Sequence, residues 1–206
     1  MQTLEADARQ SVRAAVTPAV FQTLETFVRS LEAWGAVSNL VSAADRERLW
    51  SRHVADSLQL VAVSKGLGSR WIDLGTGAGF PGLVVAIARE ETVMTLVESN
   101  RKKAAFLLRA AAEAGVAATV EPRRAEALAP APQSVVSARA LAPLHKLLGL
   151  SAPFFGPSTT GLFPKGRDAA TEILKAREDF RFDVEAHPSR TDPDGAILAV
   201  TNLERV

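Results

Sequence analysis

Cysteine is absent from this 206-residue chain. With it go disulfides, thiolate metal centres and cysteine nucleophiles, including any mechanism that attacks a pyrimidine ring through a thiol. The three histidines are scattered, which leaves no zinc-ligand spacing, so no metal site is expected. Missing too is any unbroken apolar stretch near the length of a membrane span, and the start, Met1-Gln2-Thr3-Leu4-Glu5-Ala6-Asp7, lacks a basic-then-apolar signal. A cytoplasmic protein with no membrane association is the expectation. An excess of one charge is lacking as well, and a formal net charge of +1 excludes a strongly basic RNA coat. The length suffices for one well-buried α/β domain with a helical extension. It is too short for a dinucleotide domain plus a full substrate domain.

What the chain does have is a glycine-rich turn. Trp71-Ile72-Asp73-Leu74-Gly75-Thr76-Gly77-Ala78-Gly79-Phe80-Pro81-Gly82-Leu83-Val84-Val85 reads as a short apolar strand, a tight turn and an apolar helix. Glycines allow positive φ and let a ligand lie against bare main chain, while unpaired amides open the helix that follows. Pro81 suits the first helical turn. The segment Gly77-Ala78-Gly79-Phe80-Pro81-Gly82 satisfies the dinucleotide pattern, but the register Asp73-x-Gly75-x-Gly77-x-Gly79 is the form usual for S-adenosylmethionine, which has no pyrophosphate to cradle. The next apolar run, Val93-Met94-Thr95-Leu96-Val97, ends at Glu98, where either cofactor would present ribose hydroxyls.

Periodicity orders the rest. Val20, Leu24, Phe27, Val28, Leu31 and Trp34 predict an amphipathic helix over about 18–35. Leu49, Trp50, Val54, Leu58 and Val61 predict a second, with Ser42 and Asp45 as a capping box or alternative N-caps. Strands and helices then alternate: strand 70–74, helix 81–90, strand 93–98, helix 101–114 ending at Gly115, strand 117–121, strand 135–137, helix 141–150, strand 160–164 and helix 168–178. Segments 180–186 and 196–201 read as a closing strand pair. Such alternation predicts an α/β fold with a mainly parallel seven-stranded sheet covered on both faces. A helical extension over 1–64 would pack on a domain over 65–206 as one globular unit.

The basic residues Arg101, Lys102, Lys103, Arg109, Arg123, Arg124, Arg139, Lys146, Lys165 and Arg167 fall mainly in segments that should follow strands, and so edge the ligand crevice. That grouping favours an anionic substrate over simply charged helix surfaces. Arg101, Lys102 and Lys103 open a helix, where positive charge opposes the macrodipole and a bound phosphate would relieve the penalty.

Read in order, Asn39-Leu40, Arg52-His53-Val54-Ala55-Asp56-Ser57, Ile72 to Gly82, Glu98-Ser99-Asn100-Arg101-Lys102-Lys103-Ala104-Ala105-Phe106-Leu107, Ser137-Ala138-Arg139-Ala140-Leu141-Ala142-Pro143-Leu144 and Lys165-Gly166 resemble the RsmG family, also called glucose-inhibited division protein B. The resemblance runs through most of the chain. It implies a class I S-adenosylmethionine-dependent methyltransferase fold (Rossmann-like) and methylation of N7 of one guanine, 527 in the usual RNA numbering, in 16S ribosomal RNA of the small subunit. No obligate protein partner is implied. Guanine N7 carries a lone pair and no proton, so transfer needs no general base and can rest on positioning. Enzymes that methylate exocyclic amines commonly carry an Asn/Asp-Pro-Pro-aromatic tetrapeptide after the fourth strand, where this chain reads Ser137-Ala138-Arg139-Ala140-Leu141.

By that resemblance Gly75 and Phe80 should contact the methionine side of the cofactor, Glu98 the ribose, and Ala125 with Glu126 the adenine edge. Asp73, Thr76, Gly77, Gly79 and Ser99 complete the expected cofactor set. Arg139 would hold the cofactor carboxylate or the target guanine and its phosphate, with a structural salt bridge as its rival, and should matter more for transfer than for stability. His53 and Asp56 share a helix face, as a structural hydrogen bond or with His53 touching cofactor or RNA. His53, Arg101, Lys102, Lys103 and Lys165 are the expected RNA contacts. Two other functions fit less well: a non-catalytic RNA- or ribosome-binding module retaining an adenosine ligand, and an NAD-linked oxidoreductase.

Overall fold

A computed structural model of the chain describes residues 2–35 and 40–206. Asn39, the first residue of the Asn39-Leu40 pair, lies outside the described residues. Among them, seven strands form one sheet: β1 (Arg70–Leu74), β2 (Val93–Val97), β3 (Ala118–Glu121), β4 (Val135–Ser137), β5 (Thr160–Lys165), β6 (Phe180–Pro188) and β7 (Ala196–Arg205), in the order β3-β2-β1-β4-β5-β7-β6. The first five run parallel, and β7 inserts antiparallel between β5 and β6. Chain order reverses between β1 and β4, where an open α/β sheet opens its ligand crevice.

The crossover helices are α5 (Gly82–Ala88), α6 (Arg101–Ala114), α7 (Leu144–Ser151) and α8 (Ala169–Ala176). Asn100 caps α6 by accepting the Lys102 and Lys103 N–H groups, and Gly115 closes it in the left-handed conformation at φ 65°. Helix α7 starts later than the spacing predicts. Ala142 precedes Pro143 and is disfavoured as helix, so the helix begins at Leu144, whose N–H is taken by Glu172 Oε2 at 2.6 Å.

Helix α5 explains the segment before β1. Its residues 82–87 are all buried, and a helix apolar on every side needs cover beyond one sheet. That cover comes from α2 (Pro18–Gly35) and α4 (Ala55–Val63), whose Leu24, Phe27, Leu31 and Leu60 join Leu83, Val84 and Phe106 in one buried cluster. Between α3 (Ala43–Arg46) and α4 the chain makes a π-helical turn, Leu49–Val54, where the periodicity predicts ordinary helix. Ser42 caps α3 by accepting the Asp45 N–H, one of the two capping arrangements expected.

One helix, α1 (Gln2–Ala15), has only a thin apolar row, with Val12 in the buried core and Ala8 packed against it. A carboxylate adds to its docking. Glu5 accepts the Trp50 and Ser51 N–H groups, each at 2.9 Å, and so caps the π-helical turn from another element. Arg9 adds an ion pair to Glu25 and lies over the Phe21 ring. Glu5→Ala is therefore expected to lower the unfolding free energy by about 1–2 kcal/mol, the range for loss of a cap, read from urea denaturation. An unchanged midpoint would show that the turn does not depend on Glu5.

Candidate active site

The carboxyl ends of β1, β2, β3 and β4 lie side by side, which brings the glycine loop, Glu98-Ser99, Ala125-Glu126 and Arg139 to one sheet edge. The loop is built from below. Asp73, fully buried, accepts the Gly82 N–H on Oδ2 at 2.9 Å and the Ser137 hydroxyl on Oδ1 at 2.6 Å, and Ser137 in turn accepts the Trp71 indole N–H at 2.8 Å. Burial pushes the Asp73 carboxyl up to about 6, a rise that these hydrogen bonds limit. Asp73 was expected among the cofactor contacts. With each oxygen already holding a loop or strand partner, its place is beneath the loop, shaping it. Gly82 permits that contact, since a Cβ there would stand 2.7 Å from Asp73 Oδ2 and 2.5 Å from Leu96 Cδ2.

On the crevice side Gly75 and Gly77 take φ of 65° and 62°, a region costly for residues with a side chain. A Cβ on Gly77 would meet nothing nearer than the Gly75 carbonyl at 4.0 Å, so the backbone presents a bare face. Thr76 is buried, and its N–H and carbonyl tie the turn to Val97 and to Gly79 and Phe80. Across the crevice Glu98, 8% exposed, accepts the Gly77 N–H at 3.0 Å and the Asn100 N–H at 2.7 Å. Each carboxylate oxygen keeps a further lone pair. Leu141 leans over Gly75, while Ala125 and the exposed Glu126 lie on a short 3₁₀ turn after β3. A carboxylate with spare acceptors for vicinal hydroxyls, bare backbone and an apolar flank fit an adenosine bearing an amino-acid chain.

The structure then joins three separated motifs. The Phe80 ring, expected at the methionine side of the cofactor, is instead enclosed: it stacks on His53 at 4.9 Å, packs on Phe27 at 5.4 Å and is 5% exposed. Arg139 lies over the same ring at 5.6 Å. Its Nη1 donates to the Arg52 carbonyl and to Asp56 Oδ2, both at 2.9 Å, and its Nη2 to His53 Nδ1 at 2.6 Å. The salt-bridge rival for Arg139 is thus what the resting geometry contains. The side chain is 15% exposed and serves three acceptors, so its removal would strand the Asp56 carboxylate. The expected His53 and Asp56 pairing runs through Arg139, not directly between the two.

His53 is neutral here for a stated reason. A guanidinium only donates, so Nδ1 must accept, and the proton sits on Nε2, which faces Asp45 Oδ1 at 3.4 Å. Burial first, then the Arg139 charge, pull its pKa down to about 4. Lys165, expected at the substrate rim, lines the cavity beside the site, pairs with Glu172 at 2.7 Å and donates to the Ala142 carbonyl at 2.8 Å, with the side chain 10% exposed. The loop after β4 is therefore pinned at both ends, with Ala140 between them at φ 54°, a conformation sparse for residues with a side chain.

Beyond Arg139 a cavity of about 880 Å³ opens, walled by Arg48, Arg52, Leu141, Lys165, Glu172 and Thr191 among others. Sequence reasoning named neither Glu172 nor Thr191. Nothing in local spacing marks them, because both meet the site only through tertiary packing. The proposed cations Arg101 and Lys102 stay exposed and Lys103 half-buried at the start of α6, beside Glu98. Among the described residues no cluster of acidic or histidine side chains could hold a metal ion, and no helix is long and apolar enough to cross a membrane.

This strand order with a glycine loop after β1 and an acid after β2 is the fold of class I S-adenosylmethionine-dependent methyltransferases. Among solved structures the chain is similar to the ribosomal protein L11 methylase from Lactobacillus delbrueckii subsp. bulgaricus, with a TM-score of 0.56 and 13% identity over 78% of this chain and 79% of that one. Residues 20–192 match the family model GidB, rRNA small subunit methyltransferase G, and the chain belongs to that family. It is 45% identical over 188 residues to a ribosomal RNA small subunit methyltransferase G of Methylorubrum extorquens, covering 89% of each chain. To its counterpart in Parvibaculum lavamentivorans it is 48% identical over 178 residues, 84% of this chain and 79% of the relative.

The two groups with the largest shifts, His53 and Asp73, act oppositely on stability. The unfolded chain takes up the His53 proton near pH 6.5 and the folded chain only near 4, so acidification through that window destabilises the fold through His53. Asp73 keeps its proton in the fold up to about pH 6 but releases it near 3.8 when unfolded, so the same acidification favours the fold through Asp73. The stability of wild type relative to His53→Asn should accordingly fall as pH is lowered from about 6.5 to 4. Parallel stability curves for the two proteins over that window would contradict the assignment.

Proposed function

We propose that the chain transfers the methyl group of S-adenosylmethionine to N7 of guanine 527 in 16S ribosomal RNA of the small subunit. Membership of the rRNA small subunit methyltransferase G family carries the substrate class, and the cradle formed by the glycine loop and Glu98 supports the cofactor. When bound, S-adenosylmethionine supplies a methyl group already activated by a sulfonium. Guanine N7 attacks with its own lone pair, the sulfur–methyl bond breaks, and no proton has to move. The protein therefore needs to orient two ligands and exclude water, which positioning alone can do.

Glu98 accepts the ribose hydroxyls, and the loop backbone lies along the amino-acid chain of the cofactor. Arg139 stands where β4 ends, between the cradle and the large cavity, and offers a planar cation to the cofactor carboxylate or to the guanine and its phosphate. N7 lies on the major-groove edge, and the A-form major groove is too deep and narrow for protein access, so the target base must be unpaired or splayed out. Phosphate contacts fall to the cations that open α6, the exposed Arg101 and Lys102 with the half-buried Lys103, and a net charge of +1 implies a moderate salt dependence.

Calorimetry tests the cofactor half. S-adenosylhomocysteine should bind and NAD should not, and Glu98→Ala should weaken S-adenosylhomocysteine binding by about 1.5–3 kcal/mol, the range for hydrogen bonds to a charged group. Saturable NAD binding with no response to S-adenosylhomocysteine would refute it.

The transfer half is read from label incorporated into small-subunit RNA. Arg139→Lys keeps the charge without the fork, and should lose tenfold or more in rate, about 1.4 kcal/mol of transition-state stabilisation. Full activity of that variant would make Arg139 an ion-pair partner only.

A further inference from the structure

We propose that Thr191, on the β6–β7 turn, is a positioning residue for methyl transfer that acts through Asp56 on Arg139. The inference rests on the role given to Arg139 above. Asp56 Oδ2 takes Arg139 Nη1, but its other oxygen is held from the far end of the chain: the Thr191 hydroxyl donates to Asp56 Oδ1 at 2.8 Å. Gln59, one turn after Asp56 on α4, locks the same contact. Its Nε2, with two hydrogens to share, lies 3.0 Å from Thr191 Oγ1, 3.2 Å from Asp56 Oδ1 and 3.3 Å from Ser189 Oγ, while its Oε1 accepts the Arg190 N–H at 2.7 Å.

A surface turn is ordinarily a poor device for fixing a cation, since water can replace its hydroxyls. This turn is stiffened from within. Ser189 Oγ accepts the Thr191 and Asp192 N–H groups, both at 3.2 Å, Ser189 N–H reaches the Gly195 carbonyl at 2.9 Å, and Asp192 Oδ1 accepts the Asp194 N–H at 3.1 Å. Thr191 is exposed, but the carboxylate it holds is only 18% exposed and the guanidinium beyond it 15%. Thr191 also walls the cavity that Arg139 borders. With the Thr191 hydroxyl in place Asp56 is held firmly on both oxygens and steadies the Arg139 fork, whereas without it Oδ1 keeps only the longer Gln59 contact and the carboxylate gains room to swing.

Thr191→Val removes the hydroxyl at constant shape. Its kcat for small-subunit methylation should fall about tenfold, as for loss of a hydrogen bond to a charged group, with S-adenosylhomocysteine affinity and Tm near wild type. Thr191→Ser should restore the rate. Gln59→Met, which frees the turn from α4, should lose a similar factor by an independent route. In an Arg139→Lys background Thr191→Val should cost nothing further, a readout that simple loosening of the hairpin would not give. Wild-type kcat in a folded Thr191→Val protein, or an undiminished further loss in the Arg139→Lys background, would overturn the proposal while leaving the methyltransferase reading intact. Absence of methyl transfer by the wild-type protein itself would overturn both.

Discussion

A single guanidinium fastens the segment before β1 to the catalytic edge of the sheet. Arg139 follows β4, yet its partners, the Arg52 carbonyl, His53 and Asp56, lie more than 80 residues earlier. Beneath it the Phe80 ring is clasped by His53 and by Phe27 of α2. The cation, the ring and the imidazole thus stitch the glycine loop, the loop after β4 and the preceding helices into one unit. A half-buried cation is costly without partners and favourable with them, so the helices that shield α5 also make Arg139 tolerable at the crevice. The π-helical turn contributes through its backbone, because it turns the Arg52 carbonyl toward Arg139.

Much of the fold was legible because its signals are local. The apolar runs at Val93–Val97 and around Trp71, the end of α6 at Gly115 and the glycine register each follow from a few adjacent residues. Three features were not legible, for physical reasons. Helix α1 docks by the Glu5 carboxylate, the Arg9 guanidinium over the Phe21 ring and a short apolar row at Ala8 and Val12, too thin to mark a helix. The π-helical turn differs from α-helix by one residue per hydrogen bond, below the resolution of apolar spacing. The start of α7 was masked by the apolar Leu141, which periodicity counts as helical but which lies over Gly75, ahead of Pro143.

The site divides in the same way. That Glu98, the glycines, Ala125 with Glu126 and Arg139 share one edge follows from strand alternation and the rule for open α/β sheets. Orientation does not follow. Asp73 and Phe80 face the interior, and Lys165 is drawn into Glu172, because what each side chain can reach depends on elements distant in sequence. The motif Arg52-His53-Val54-Ala55-Asp56-Ser57 carried the right residues without a reason for them. The reason is Arg139, which takes three acceptors from that stretch, the Arg52 carbonyl, His53 Nδ1 and Asp56 Oδ2. The hairpin turn near Thr191 was silent for the same cause.

The proposed reading makes the reaction one of positioning, because guanine N7 is a nucleophile that needs no base. Its central claim is chemical, and the identity of the product tests it most directly. Small-subunit RNA treated with the protein and S-adenosylmethionine, digested to nucleosides and resolved by mass spectrometry, should yield 7-methylguanosine as the new modified nucleoside. A methyl group found on an exocyclic amine, on a ribose or on another base would contradict the account.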